Sequence, residues 1–116
     1  MMTVTLYAVV AAELGDRALV DSLLPLAYRG YVRPPFDVLA ETPENEGTDF
    51  LTGAGGFLQQ VVYGYTGLRL GEAGLQATFR PVLPSRIRRL VLRNFSARGR
   101  RYDILVERDT VRFVPR

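Results

Sequence analysis

The chain contains no cysteine, no histidine and no lysine. Without cysteine it has neither disulfides nor thiolate metal sites, and nothing in its thiol usage argues for secretion. Without histidine it lacks the commonest general base near neutral pH and the commonest metal ligand. Acid–base chemistry then falls to Asp, Glu or Tyr. Without lysine the basic charge is all arginine, a pattern that coding preference alone produces. A long apolar run is missing as well. "LYAVVAA" has about half the length that a bilayer crossing needs, it lacks a basic leader, and Glu13 and Asp16 follow it. The expectation is a cytoplasmic chain with no membrane partner.

What is present suits a folded protein. The chain has 116 residues, 47% of them hydrophobic, enough for a real core. Charge is divided unevenly. Residues 1–79 carry four arginines against nine carboxylates, whereas residues 80–116 carry eleven arginines against three. Arg86, Arg88, Arg89, Arg93, Arg98, Arg100 and Arg101 form a cluster that invites a nucleic-acid reading. No recognised binding motif accompanies it, and aromatics are not interleaved as stacking sites require. A solvated strand face explains the arginines, and no nucleic-acid partner is expected.

Residues 1–14 read as a helix, with Leu6, Val9, Val10 and Leu14 at helical spacing. Gly15 suits the position past a helix end and Asp16 the cap of the next. That next helix, "RALVDSLLPLAYR", places Leu19, Leu23 and Leu26 on one face, and Pro25 predicts a kink or an early end. Pro34-Pro35 excludes helix, so "FDVLAE" is expected as a short extended segment leading into Glu41. A loop with Glu41, Glu44, Glu46 and Asp49 follows. After Gly53, Gly55 and Gly56, "FLQQVVYGY" puts Phe57, Val61 and Tyr65 on one helical stripe ending near Gly64. From Gly67 the period shortens. "LRL", "LQATF", "IRRLVLRNF", "YDILVE" and "TVRFV" read as antiparallel strands separated by turn residues. The expectation is an α+β chain, residues 1–66 helical and 67–116 stranded, with neither half complete in itself.

The order "PPFDVLAE", an acidic loop, "DFLTGAGGFLQQVVYGYTGLRL", then "RPVLPSRIRRLVLRNFSARGRRYDI" resembles the C-terminal end of glycoside hydrolase family 65. The likeness is to its hydrolase branch, the acid trehalases and the glucosidases acting on glucosyl-galactosyl-hydroxylysine. "FLTGAGGFLQ" is the most specific part. The resemblance implies that residues 1–66 are the last helices of an (α/α)6 barrel, a six-hairpin toroid. Residues 67–116 would then be part of a C-terminal β-sandwich, a partial jelly roll. It implies a fragment of a larger enzyme, with no metal and no organic cofactor.

An inverting glycosidase needs one carboxyl group to protonate the leaving oxygen and another to activate water on the opposite sugar face. The resemblance places the base at Glu41 and puts the acid on a segment that this chain does not contain. The chain departs from the family pattern at Leu39, Ala40 and Thr42, where an aromatic, a polar residue and an asparagine are usual. From the residues alone, Glu41 closes an apolar run, and a carboxylate half in a pocket is suited to base chemistry. Gly53, Gly55 and Gly56 would let backbone approach a sugar or let helices approach each other. Gln59 would contact substrate or cap a turn. The expected partner is an α-glucoside once another chain completes the site. The first two helices would expose Leu6, Val10, Leu23 and Leu26 to a complementing subunit or to a second copy.

Overall fold

The computed structural model describes residues 2–44 and 50–116. Glu46 and Asp49 of the acidic loop lie outside the described residues. In order, the elements are α1 (Met2–Glu13), α2 (Arg17–Tyr28), β1 (Val32–Arg33), β2 (Val38–Leu39), α3 (Leu51–Gln59), a π-helix (Gln60–Tyr65), β3 (Leu68–Gly71), β4 (Gly74–Ala77), β5 (Arg89–Ala97), β6 (Arg100–Glu107) and β7 (Thr110–Pro115). The fold class is α+β, as the sequence predicts. All strand pairs are antiparallel. Two short hairpins, β1–β2 and β3–β4, accompany a three-stranded meander in the order β5-β6-β7.

The turn between α1 and α2 is built as its sequence suggests. Gly15 takes φ +74°, and the Gly15 and Asp16 amides close the last turn on the carbonyls of Ala12 and Ala11. That pair of bonds satisfies carbonyls that a helix end otherwise leaves open. The Asp16 carboxylate then accepts from the Leu19 amide at 3.0 Å and caps α2. Pro25 does not end α2, which runs on to Tyr28.

The helices pack differently from the leucine spacing. In α1 the buried residues are Thr5, Ala8, Ala11 and Ala12, while Leu6, Val10 and Leu14 are 57, 50 and 77% exposed. In α2 the buried face is Val20, Leu23 and Ala27, and Leu19 and Leu26 are exposed. Exposure of Leu6, Val10 and Leu26 agrees with the expectation, whereas Leu23 belongs to the core. The reason is a close approach of backbones. A Cβ on Gly56 would lie 2.7 Å from Thr5 Oγ1, and one on Gly64 would lie 3.3 Å from Val9 Cα. At that separation only small side chains fit between α1 and its neighbours, so the large ones turn outward.

Gly53, Gly55 and Gly56 are not in a loop. They lie inside α3, which starts at Leu51. Beyond Gln59 the helix widens into the π-helix, whose longer backbone bonds shift the register of every later side chain. Gln60, whose backbone amide still bonds to the Gly56 carbonyl as in an α-helix, faces the interior on the same side as Gly53, and Gln59 faces solvent. The Gln60 amide donates to the Tyr65 hydroxyl, and Gln60 Oε1 has no partner among the described residues. Burial raises the pKa of the Tyr65 hydroxyl, against the opposing effect of that bond.

Gly67 takes φ +73° and lies so close to Phe79 that a Cβ would sit 2.1 Å from the Phe79 carbonyl oxygen. Its own carbonyl accepts from the Thr78 and Phe79 amides, which joins the end of the π-helix to β3–β4. Arg69 reinforces this junction. It pairs with Glu13 of α1, donates to the Tyr63 carbonyl at 2.8 Å and lies over the Phe79 ring. Pro81, Val82, Leu83 and Pro84 then pass through the interior. The Val82 amide bonds to the Tyr65 carbonyl, and Ser85 donates its amide and hydroxyl to Asp21 of α2. One buried cluster, including Ala8, Val20, Tyr65, Leu68, Leu83, Ile104 and Val106, runs from the helices to the meander.

In the meander Leu90, Leu92, Phe95, Tyr102, Ile104, Val106, Val111 and Phe113 turn to that cluster. A β-bulge sets Arg93 and Asn94 opposite Asp103. The Asp103 carboxylate fills the bulge, accepting from the Asn94 amide at 2.8 Å and from the Arg116 guanidinium at 2.9 and 2.6 Å. These donors, Arg116 foremost, hold the Asp103 carboxyl down at about 2.

Two outcomes follow from these contacts. A depressed carboxyl pKa contributes stability above the ordinary carboxylate range and loses it as pH falls through the folded-state value. Urea midpoints should therefore drop between about pH 4 and pH 2, and Asp103→Asn should reduce that drop while lowering the midpoint at pH 7. In a double-mutant cycle, Gln60→Leu strands the Tyr65 hydroxyl and should cost about 1–3 kcal/mol. Adding Tyr65→Phe should recover most of that loss, because no buried polar atom is then left without a partner. A double variant as unstable as the sum of the singles would contradict the pairing.

Candidate active site

Glu41 is presented by the smallest of the hairpins. Val32 pairs with Leu39 and Arg33 with Val38, and the Ala40 amide bonds to the Tyr31 carbonyl at 2.8 Å. Ala40 is fully buried, so the chain is pinned one residue before Glu41. One residue after it the Arg33 guanidinium begins a strap, reaching the Thr42, Pro43 and Gly30 carbonyls. The Phe50 amide donates to the Leu39 carbonyl at 2.7 Å and ties the start of α3 to the same hairpin. Glu41 is thus carried on a defined backbone between two fixed points. Pro34 and Pro35, joined by a cis bond, form the hairpin turn instead of a long extended stretch.

The Glu41 side chain is exposed, as are Thr42 and Glu44. The described residues of this chain do not supply the apolar half-pocket that the run before Glu41 suggests. Among the described residues there is also no group of three or more acidic side chains placed to hold a metal ion. No helix among them is long and apolar enough to cross a membrane.

The motif residues of α3 divide by environment. Gly53 is buried, and Gly56 is filled by Thr5. Gly55 is exposed, and a Cβ there would meet nothing within 4 Å. Gln59 is exposed beside a groove between α1 and α3. Phe57 packs edge-on against Tyr28 with ring centres 6.3 Å apart, which makes it a link between α3 and α2. Glu41 and the three glycines therefore share one supporting unit. The structure brings Glu41 next to the α3 start through Leu39 and Phe50, but neither Glu41 nor Glu44 lines that groove.

Three features were not anticipated from the sequence. The Arg33 strap has no local signature, because its acceptors are carbonyls nine and ten residues away. The burial of Gln60, on the same face of α3 as Gly53, has no apolar signature, and its partner Tyr65 lies five residues on at the end of the π-helix. The third is the seam between α2 and the segment after Pro84, an open cavity of about 340 Å³ with Asp21, Tyr28, Arg29 and Arg86 on its walls. Hydrogen bonds from Ser85 lower the Asp21 pKa there, helped by Arg17 and Arg86.

Comparison with known proteins bears on this arrangement. No family model matches the chain, and no solved structure matches it. The protein-glucosylgalactosylhydroxylysine glucosidase of Danio rerio is 34% identical over 112 residues, covering 96% of this chain and 17% of that protein. The enzyme of the same name from Mus musculus is 35% identical over 111 residues, covering 95% and 16%. The kojibiose hydrolase of Flavobacterium johnsoniae is 32% identical over 91 residues, covering 78% and 13%. The chain thus spans less than a fifth of the length of the curated relatives it matches. By these relationships the chain belongs to glycoside hydrolase family 65, over the C-terminal part of those enzymes.

Proposed function

We propose that the chain supplies the water-activating side of an inverting α-glucoside hydrolase, with Glu41 as general base. The observation that supports this reading best is the relationship to glucosidases and a kojibiose hydrolase across the hairpin, α3 and the strands together. In the proposal, Glu41 accepts a proton from water as that water attacks the anomeric carbon of an α-glucosyl disaccharide or glycoside. The oxygen that leaves is protonated by a carboxylic acid from the portion of the enzyme outside this chain. A spacing of roughly 6.5–9.5 Å between the two carboxyls leaves room for the water. The exposed position of Glu41 suits this division, since its pocket would be closed by that other portion.

Within this reading, residues 1–66 are the last helices of an (α/α)6 barrel and residues 67–116 belong to a C-terminal β-sandwich of jelly-roll type. Gly55 and Gln59, the exposed members of the α3 motif, would stand behind the base on the substrate side, while Gly53 is buried and Gly56 is filled by Thr5 of α1. No metal or organic cofactor takes part, and the absence of cysteine fits a cytoplasmic setting. A second reading, a non-catalytic interaction fragment, is favoured by the exposed Leu6, Val10 and Leu14 face. That face would pair with a complementing chain or with a second copy.

Glucose release from kojibiose and trehalose separates the two. The chain alone should release none. Produced with the remainder of a family enzyme it should release glucose, and Glu41→Gln should reduce turnover by about 10²–10⁴-fold with the assembly intact. Unchanged turnover in the Gln variant would remove Glu41 from the mechanism, and no turnover from an intact assembly would favour the second reading.

A further inference from the structure

The fold gathers arginines that it does not pair. Arg69, Arg80, Arg89 and Arg116 each have a carboxylate partner, in Glu13, Asp109, Glu107 and Asp103. Arg17, Arg88 and Arg108 make no salt bridge with the described residues, yet all three line one cavity of about 160 Å³. They come from distant parts of the chain. Arg17 opens α2, Arg88 directly precedes β5, and Arg108 lies in the turn between β6 and β7. Among the described residues no carboxylate lines the cavity. Those beside it are engaged elsewhere: Asp21 accepts from the Ser85 amide and hydroxyl, and Asp109 pairs with Arg80.

The cavity has a fixed frame. Leu83 and Pro84, both buried, line it together with Ile87. The Ile87 amide bonds to the Pro84 carbonyl at 2.8 Å, and the Ser85 amide bonds to Asp21 at 2.7 Å. The segment that carries Arg88 is thereby held against α2. Two of the three placements run against local preference. Arg17 stands in the first turn of a helix, where the dipole disfavours a cation. Arg108 takes φ +49° in a two-residue hairpin turn, a state that asparagine or glycine adopts at less cost. Like charges gathered without a counter-charge also repel. An anion in the cavity turns that repulsion into attraction and suits the helix terminus as well.

We infer that Arg17, Arg88 and Arg108 form a binding site for phosphate, either as the free ion or as the monoester on a sugar. Guanidinium groups present paired donors that match phosphate oxygens. The site bridges the start of α2 and the meander, so a bound anion ties the helical part to the strands. No residue of the Glu41 hairpin or of α3 lines it, and the inference stands independently of the proposed function.

The test is thermal melting of the chain at about pH 7.5, above the second pKa of a phosphomonoester. Inorganic phosphate or glucose 6-phosphate is titrated against sodium chloride of equal ionic strength. Phosphate should raise the melting temperature saturably beyond the chloride control, because an anion that binds only the folded state stabilises it. Arg88→Gln and Arg108→Asn should each raise the half-saturating concentration about tenfold or more. Asparagine suits the turn at 108, so Arg108→Asn should melt no lower than wild type in chloride, which separates lost binding from lost folding. Arg98→Asn is the control. Arg98 takes the same left-handed state, φ +47°, at the opposite end of β6, and its replacement should leave the phosphate response unchanged. A response to inorganic phosphate at lower concentration than to glucose 6-phosphate assigns the site to the free ion, and the reverse order assigns it to the monoester. No saturable rise above chloride with either would overturn the inference. So would a rise that Arg88→Gln and Arg108→Asn leave intact, or one that Arg98→Asn weakens equally, which would make it a general effect of surface charge.

Discussion

The close approach of α1 to the α3–π segment governs the rest of the molecule. It is possible because Gly56 and Gly64 present no side chains to Thr5 and Val9. Once the backbones are that close, α1 can bury alanines and a threonine but not leucines. Dispersion and apolar burial favour the contact, since close-packed interiors recover many weak contacts per side chain. The consequence is an inverted helix, with small residues inside and large ones outside. Filling Gly64 would push Val9 away and loosen the cluster through which the helices reach the meander.

The same contact shapes the functional side. α3 starts at Leu51, directly after the Phe50 amide has bonded to the Leu39 carbonyl, so the helix and the Glu41 hairpin are positioned as one unit. The packing of α3 turns Gln60 inward and leaves Gln59 outward on the groove. Behind this, Arg69 and Gly67 join the end of the π-helix to the strands, and the Asp21–Ser85 bonds close the seam on the other side. Glu41 is therefore precisely supported by backbone and openly exposed in side chain. A surface carboxylate on a free loop would lack that support.

Much of the fold was legible. Gly15 and Asp16 marked a helix end and a cap, because each residue type has a local backbone consequence. The strands from Leu68 onward were read from their two-residue period, which burial on one face of a meander enforces. "FLTGAGGFLQ" and its surroundings carried the family, and the relatives agree with it. Other features were not legible because they depend on contacts between distant segments. Leucine spacing in α1 marked a helix correctly but not its buried face, since Gly56 and Gly64 lie some fifty residues away. Propensity disfavours the glycines of α3 in a helix, and for Gly56 the packing against Thr5 explains the exception. Gln59 and Gln60 are adjacent residues of one type, and only the packing of α3 separates the buried one from the exposed one. For Glu41 the apolar run before it suggested a half-pocket, which the described residues do not supply because its side chain is exposed.

Native-state hydrogen exchange on the chain alone, followed residue by residue, tests most directly whether α1 is packed on one side only. The account predicts that α1 amides exchange through local opening well before those of Ile104 and Val106 in β6, and that they gain protection when the rest of the enzyme is bound. Protection of α1 in the isolated chain equal to that of Ile104 and Val106 would contradict it.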